Sequence, residues 1–158
     1  MKRLFILTLA ALCVVPAFAE TDKRSRLPFD KCFDSASARF GVDKQMLVAI
    51  AKTESSLNPN AVGGKNENGS TDLGMTQVNT WWLPTLAKHS ISERDLMGAC
   101  TNIYVGAWIL AQNIARHGAT WKAVGAYNAI TPSKQLNYVQ KVQKNYTLVA
   151  DLINERKN

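Results

Sequence analysis

Histidine is nearly missing, cysteine is scarce, and only one apolar run is long; each shortage closes a class of function. His89 and His117 stand at no ligand-like spacing from the three cysteines, so no metal site is expected, and no motif asks for another cofactor. Five prolines and nine glycines in 158 residues are too few for a collagen-like or low-complexity chain, and no internal repeat is present. Disorder and coiled coil are excluded by a composition that is 46% hydrophobic and 20% charged. Acidic side chains are the scarcer charge. Twelve against nineteen basic residues leave +7, an excess that suits an acidic partner but is too diffuse to imply nucleic acid, and none is expected. A chain of this length buries one sizeable core and hardly two, so a single domain, acting as a monomer, is the expectation.

The one long apolar run is an address. Lys2 and Arg3 precede Leu4 to Val15, and Ala17-Phe18-Ala19 offers a small-x-small cleavage pattern before Glu20. The run is about 12 residues, against the roughly 18 to 20 that a bilayer crossing needs, which disfavours retention as an anchor. Leu12 is too bulky for Cys13 to be a lipidated cysteine. Residues 1–19 are therefore expected to be a cleaved signal peptide, and removing Lys2 and Arg3 leaves the exported chain at +5. Its two cysteines, Cys32 and Cys100, read as one disulfide that would stabilise the fold by roughly 4 kcal/mol on the chain-entropy model.

Residues 20–28 are polar and charged, a loose leader, with the folded domain expected over 29–158. Phe29, Cys32, Phe33, Ala36 and Phe40 recur at helical spacing until Gly41. Asp43 caps a second helix with the stripe Leu47, Ile50, Ala51 and Glu54. From Ser55 to Asn79 periodicity vanishes, and Asn58-Pro59-Asn60, Gly63-Gly64 and Asn68-Gly69 predict a long loop or small β-hairpin, a length that often carries function. Ser92 with Asp95 looks like a capping box opening a central buried helix, whose apolar face runs through Ile103, Tyr104, Ala107, Trp108, Ala111, Ile114 and Ala115 to Gly118. Thr120 caps a short helix through Tyr127, and Ser133 starts a last one on Leu136, Val139, Val142, Tyr146, Val149 and Ile153.

Glu54 ends an apolar stripe. A carboxyl desolvated there has its pKa raised and can donate a proton near neutral pH; raising it from about 4.3 to about 6 costs roughly 2.3 kcal/mol, seldom tolerated without a use. The plain alternative is a Glu in the last helical turn pointing to water. Three short motifs favour the first reading. Glu54-Ser55, Gly74-Met75-Thr76-Gln77 and Ala126-Tyr127-Asn128-Ala129 resemble, in order and spacing, the three motifs of the soluble lytic transglycosylases. With Cys32, Asn102-Ile103-Tyr104-Val105-Gly106-Ala107 and Val124-Gly125, the chain looks more narrowly like the small transglycosylases of secretion, pilus and conjugation systems, the IagB/IpgF group. The resemblance covers about Phe29 to Tyr146.

That resemblance implies a mostly α (α+β) lysozyme-like fold with a small β-hairpin or loop lobe. It also implies a periplasmic enzyme that cuts peptidoglycan glycan strands between N-acetylmuramic acid and N-acetylglucosamine, and an association with a type III or type IV secretion or conjugation apparatus. Glu54 would be the single acid and base, protonating the glycosidic oxygen and then accepting the proton of the muramic C6 hydroxyl, to leave a 1,6-anhydro end. Ser55 would orient the carboxyl group, Gly74, Met75, Gln77 and Asn79 would line the cleft, Tyr127 would hydrogen-bond near Glu54, and Asn128 would contact sugar. A second resemblance competes. Asn68-Gly69-Ser70-Thr71-Asp72 with Gln77, Asn79, Trp81 and Trp82 is similar to the hairpin of animal-type lysozymes, in which an Asp partners the acid. Asp72 would then be the second carboxylate of a retaining hydrolase, if the two groups approach within about 5.5 Å; otherwise it is a hairpin Asp bonded to its own backbone.

Two departures from the family pattern stand out. Thr76 occupies a Met position, which is expected to alter a sugar contact, and Ile130 a Gly position, which asks the loop after Asn128 to turn differently, through Pro132. They leave a binding-only module as a further alternative. Trp108 and Trp121 sit in apolar helical patterns and are expected in the core, with Trp81 or Trp82 bordering the cleft.

Overall fold

The computed structural model describes residues 27–154, so the signal-peptide expectation and most of the leader lie outside the described residues. The element order is α1 (Asp30–Phe40), α2 (Lys44–Ser55), β1 (Val62–Lys65), β2 (Thr71–Leu73), β3 (Val78–Asn79), a 3-10 turn (Thr80–Trp82), α3 (Leu83–Ala87), α4 (Glu93–Leu96), α5 (Ala99–His117), α6 (Trp121–Asn128) and α7 (Pro132–Asn154). It is a mostly helical, lysozyme-like architecture carrying one small antiparallel sheet of order β1-β2-β3.

The helices begin and end where side-chain chemistry lets them. Asp43 accepts from the backbone N–H groups of Gln45 and Met46 at the start of α2, and Gly41, at φ 65°, closes α1. Leu27 is buried with the core, so packing reaches back into the stretch expected to be loose. Ser92 and Asp95 do form a reciprocal capping box, but it caps the single turn of α4; the chain breaks at Met97-Gly98 before α5 begins. The 3-10 turn and α3 have no periodic signal, being too short to repeat a pattern.

The larger cluster packs Phe33, Leu47, Val48, Ile50, Met75, Ile103, Leu110 and Val142 among α1, α2, α5 and α7. Residues Leu47 to Ala51 are buried without a gap, so α2 is enclosed along its middle, while α5 packs against α1, α2, α4 and α6 as the central helix. A second cluster, Leu73, Val78, Leu86, Leu96, Val105 and Ile109, fixes the sheet to α3, α4 and α5. Cys32 and Cys100 are disulfide-bonded with their Cα atoms 5.2 Å apart, tying α1 to the first turn of α5. Among the described residues no helix is long and apolar enough to cross a membrane.

Candidate active site

Helix α2 ends abruptly. Ser56 and Leu57 both take left-handed backbone angles, φ 56° and 66°, which turn the chain back and bring the segment after β2 over the end of α2. Ser55 secures the closure: its Oγ donates to the Met75 carbonyl at 2.7 Å and accepts from the Asn58 backbone N–H at 3.1 Å. It is this junction, and not the Glu54 carboxyl group, that Ser55 holds. Under the junction lies the polar pair Thr76 and Asn102. Asn102, wholly buried, accepts from the Thr76 backbone N–H at 2.7 Å and hydroxyl at 2.8 Å, and donates to the carbonyls of Leu73 and Leu96 at 2.8 and 3.0 Å. Gly74, at φ 73°, leaves room for that amide, since any Cβ there would overlap the Asn102 carboxamide.

Glu54 therefore sits where the helical body meets the sheet lobe. Its Oε1 accepts a hydrogen bond from the Tyr138 hydroxyl of α7 at 2.6 Å. Burial pushes its pKa up to about 7; the Tyr138 bond and the Lys141 charge pull it down, and the Asp72 charge adds to the rise. Tyr138 and Tyr127 are themselves pushed above the ordinary phenol value, by burial first and then by the Glu54 charge. Tyr127 donates to the Thr76 carbonyl at 3.0 Å, so both phenols are held as neutral donors beside the carboxyl.

Two cavities meet at Glu54. One, of about 120 Å³, opens toward the sheet lobe and is lined by Asp72, Gln77, Asn79, Trp82, Tyr127 and Asn128 with Val78 and Ile109. The other, of about 270 Å³, opens along α7 between Thr53, Asn128, Lys134, Asn137, Tyr138 and Lys141. Asp72 is not bonded to its own backbone. Its oxygens accept from Asn79 Nδ2 at 2.8 Å, across the β2–β3 pair, and from Asn66 Nδ2 at 3.4 Å. Gln77 holds a left-handed φ of 48°, and its amide donates to the Gly74 and Ala61 carbonyls at 2.7 and 3.3 Å, which spans the base of the lobe. Among the described residues no group of three His, Cys, Asp or Glu side chains is placed to hold a metal ion.

With its order of motifs placed at one cleft, the chain can be set beside known proteins. The model of the transglycosylase SLT domain matches residues 31–148. The chain belongs to the transglycosylase SLT family. Among its relatives is the invasion protein IagB of Salmonella typhi, 39% identical over 132 residues, covering 80% of this chain and 82% of that one. Protein IpgF of Shigella flexneri is 33% identical over 144 residues, 88% of each chain. A peptidoglycan-binding-like protein of Escherichia coli O157:H7 is 34% identical over 166 residues, 98% of this chain and 94% of that one.

Within this SLT domain several expectations need correcting. Met75 is wholly buried in the main cluster and Gly74 faces Asn102, so neither lines the two cavities at Glu54; both shape the cleft from beneath. Thr76 is also wholly buried and packs against Gly106 of α5, where a Cβ would come within 3 Å of it. Its substitution for Met thus concerns the junction and not a sugar contact. The loop after Asn128 runs extended through Ala129, at φ −148°, directly into α7 at Pro132, so Ile130 needs no left-handed angle and lies 96% exposed. Trp82 is the tryptophan at the cleft, packed edge-on against Trp81 and Trp108. Trp121 is 39% exposed, edge-on to Tyr146, and outside the core.

Tyr138 belongs to none of the sequence motifs, and Asn102 belongs to one that assigns it no role. The stripe expected on α7 starts at Leu136, which is 59% exposed, whereas the buried face is Tyr138, Val139, Val142 and Val149. A tyrosine on an apolar stripe needs a partner for its hydroxyl, and that was the available signal.

Proposed function

We propose that the chain is a lytic transglycosylase of peptidoglycan, acting on the β-1,4 bond between N-acetylmuramic acid and N-acetylglucosamine. The observation that carries this reading is Glu54: a carboxyl buried at the meeting of two cavities, with a pKa near 7 and a fixed hydroxyl donor on one oxygen. Near neutral pH it is half protonated, which suits a group that must give a proton and then take one. In the first step the Glu54 proton passes to the glycosidic oxygen as its bond to C1 of the muramic sugar breaks. In the second the carboxylate removes the proton of the C6 hydroxyl, and O6 closes on C1. Glu54 ends protonated, and no water is consumed. Tyr138 would hold the carboxyl in place through both steps, and Asn128, which lines both cavities, would meet the glycan where it crosses from one to the other.

A second reading is favoured by one observation, that Asp72 lines the same cavity as Glu54. With it the enzyme would be a retaining hydrolase releasing reducing ends. Mass spectrometry of digested peptidoglycan distinguishes the two, since anhydro and hydrated ends differ by one water. The expected result is anhydro ends from the wild type, none from Glu54→Gln, and near-full activity from Asp72→Asn. Hydrated ends with a loss in Asp72→Asn as large as in Glu54→Gln would favour the hydrolase, and glycan binding without new ends of either kind would leave a binding module.

We further infer export to the periplasm, through the signal-peptide pattern of residues 1–19, and a task of opening the wall locally for a secretion, pilus or conjugation apparatus. The similarity to an invasion protein supports this placement. Fractionation of cells expressing the full chain tests the first part; protein retained in the cytoplasm with residues 1–19 still attached would contradict it.

A further inference from the structure

The two cavities that meet at Glu54 differ in charge. The one toward the sheet lobe holds Asp72 among amide side chains. The one along α7 holds two lysines and no carboxyl besides Glu54 itself. Lys134, Asn137, Tyr138 and Lys141 follow the i, i+3, i+4, i+7 pattern, so α7 presents them on a single face. Among the described residues the ion pairs are those of Lys44 with Asp30 and Asp34, so neither cavity lysine is neutralised by one. When Glu54 is protonated and ready to act as an acid, this cavity carries two positive charges beside amide and hydroxyl groups. A chain of N-acetylated sugars is neutral and gives the lysines nothing to pair with. Only the carboxylates borne on muramic acid do so, either on its lactyl ether or on a peptide attached there.

We propose that the α7 cavity, through Lys134 and Lys141 with Asn137, is a carboxylate-recognising subsite that selects glycan with a muramyl carboxylate beside the bond to be cut. The inference rests on the glycan-cleaving reading and adds to it which part of the substrate the chain discriminates. The ammonium groups supply the charge and the Asn137 amide a neutral donor, while Thr53 of α2, whose hydroxyl donates to the Ala49 carbonyl at 2.7 Å, serves only as a wall. Because the lysines are exposed, the attraction is screened by salt, and the gain is modest.

The test measures binding to the full chain carrying Glu54→Gln, which leaves the probes uncut. Three probes of equal length are compared at low salt: a neutral chito-oligosaccharide, a peptide-stripped glycan with free lactyl carboxylates, and a glycan with its peptides attached. At least one carboxylate-bearing probe is expected to bind about three- to tenfold more tightly than the neutral one. That ratio should fall toward one in Lys134→Gln/Lys141→Gln and persist in Lys134→Arg/Lys141→Arg. A preference for the stripped glycan assigns the subsite to the lactyl group, and a preference confined to the peptide-bearing glycan assigns it to the peptide. Equal affinity for all three probes, or a ratio unchanged by the glutamine pair, overturns the proposal. Failure of the enzyme reading shows separately, as wild-type protein that releases no new glycan ends whatever these ratios are.

Discussion

At Glu54 two opposed effects set the chemistry: burial raises the pKa, and the Tyr138 hydroxyl restrains the rise by bonding the carboxylate. Tyr138→Phe removes the restraint without opening a large cavity. The fall of kcat/KM on the alkaline side, expected near pH 7 in the wild type because the acid form is needed, should then move to higher pH; an unmoved profile would mean that the bond does not tune the acid. The same burial has a consequence for stability. Glu54 titrates near 4.5 in the unfolded chain and near 7 in the folded one, so between these values the native state binds more protons and stability falls as pH rises. Above pH 7 the full penalty, about 3 kcal/mol, is present. Glu54→Gln should accordingly be more stable than the wild type at pH 8, by up to that amount, with the difference shrinking toward pH 5; denaturant melts at the two pH values measure it.

At the level of elements, the cleft depends on how the end of α2, the segment after β2, and α5 are joined. Asn102 bonds Thr76, Leu73 and Leu96 from a wholly buried position. Asn102→Ala leaves three backbone groups without partners in the interior, so a loss of about 3 to 5 kcal/mol is expected in denaturant unfolding, with lowered activity as the lobe loosens. A loss below about 1 kcal/mol would show that water repairs the junction. The long helices were legible in the sequence because each repeats an apolar stripe several times, and Asp43 and Gly41 marked their boundaries through local bonds, whereas the Ser92/Asp95 box, though real, belongs to α4 and not to the central helix. The break at Met97-Gly98 was not legible, because the apolar pattern continues beyond it; in the fold Leu96 and Met97 pack into the second cluster and Gly98 takes extended angles ahead of α5. The role of Asn102, though its motif is legible, was hidden for a related reason. Its four bonds reach residues 6 to 29 positions away, and no local pattern announces partners so distant.

Across the fold, among the described residues, one covalent link and two packed clusters hold a helical body against a small lobe. The Cys32–Cys100 disulfide joins elements 68 residues apart, and Cys100 is exposed to reductant. Reduction, or Cys32→Ser/Cys100→Ser, should lower unfolding free energy by roughly 4 kcal/mol on the chain-entropy model, read as a shift in the urea midpoint; an unchanged midpoint would place the link outside the cooperative unit.

The sequence by itself determined the helical stripes, the pairing of the two cysteines, the carboxyl at the end of α2 and the three motifs in order. These depend on periodicity, elimination and residues held together by the motif itself. Only the tertiary structure decided what each motif residue faces. It turned Ser55, Met75 and Thr76 inward to build the junction, brought Tyr138 from α7, 84 positions along the chain, onto Glu54, and set Lys134 and Lys141 beside it. The physical reason is that direction depends on which surfaces pack together: a side chain on a loop or a helix edge faces core or cleft according to neighbours far away in sequence.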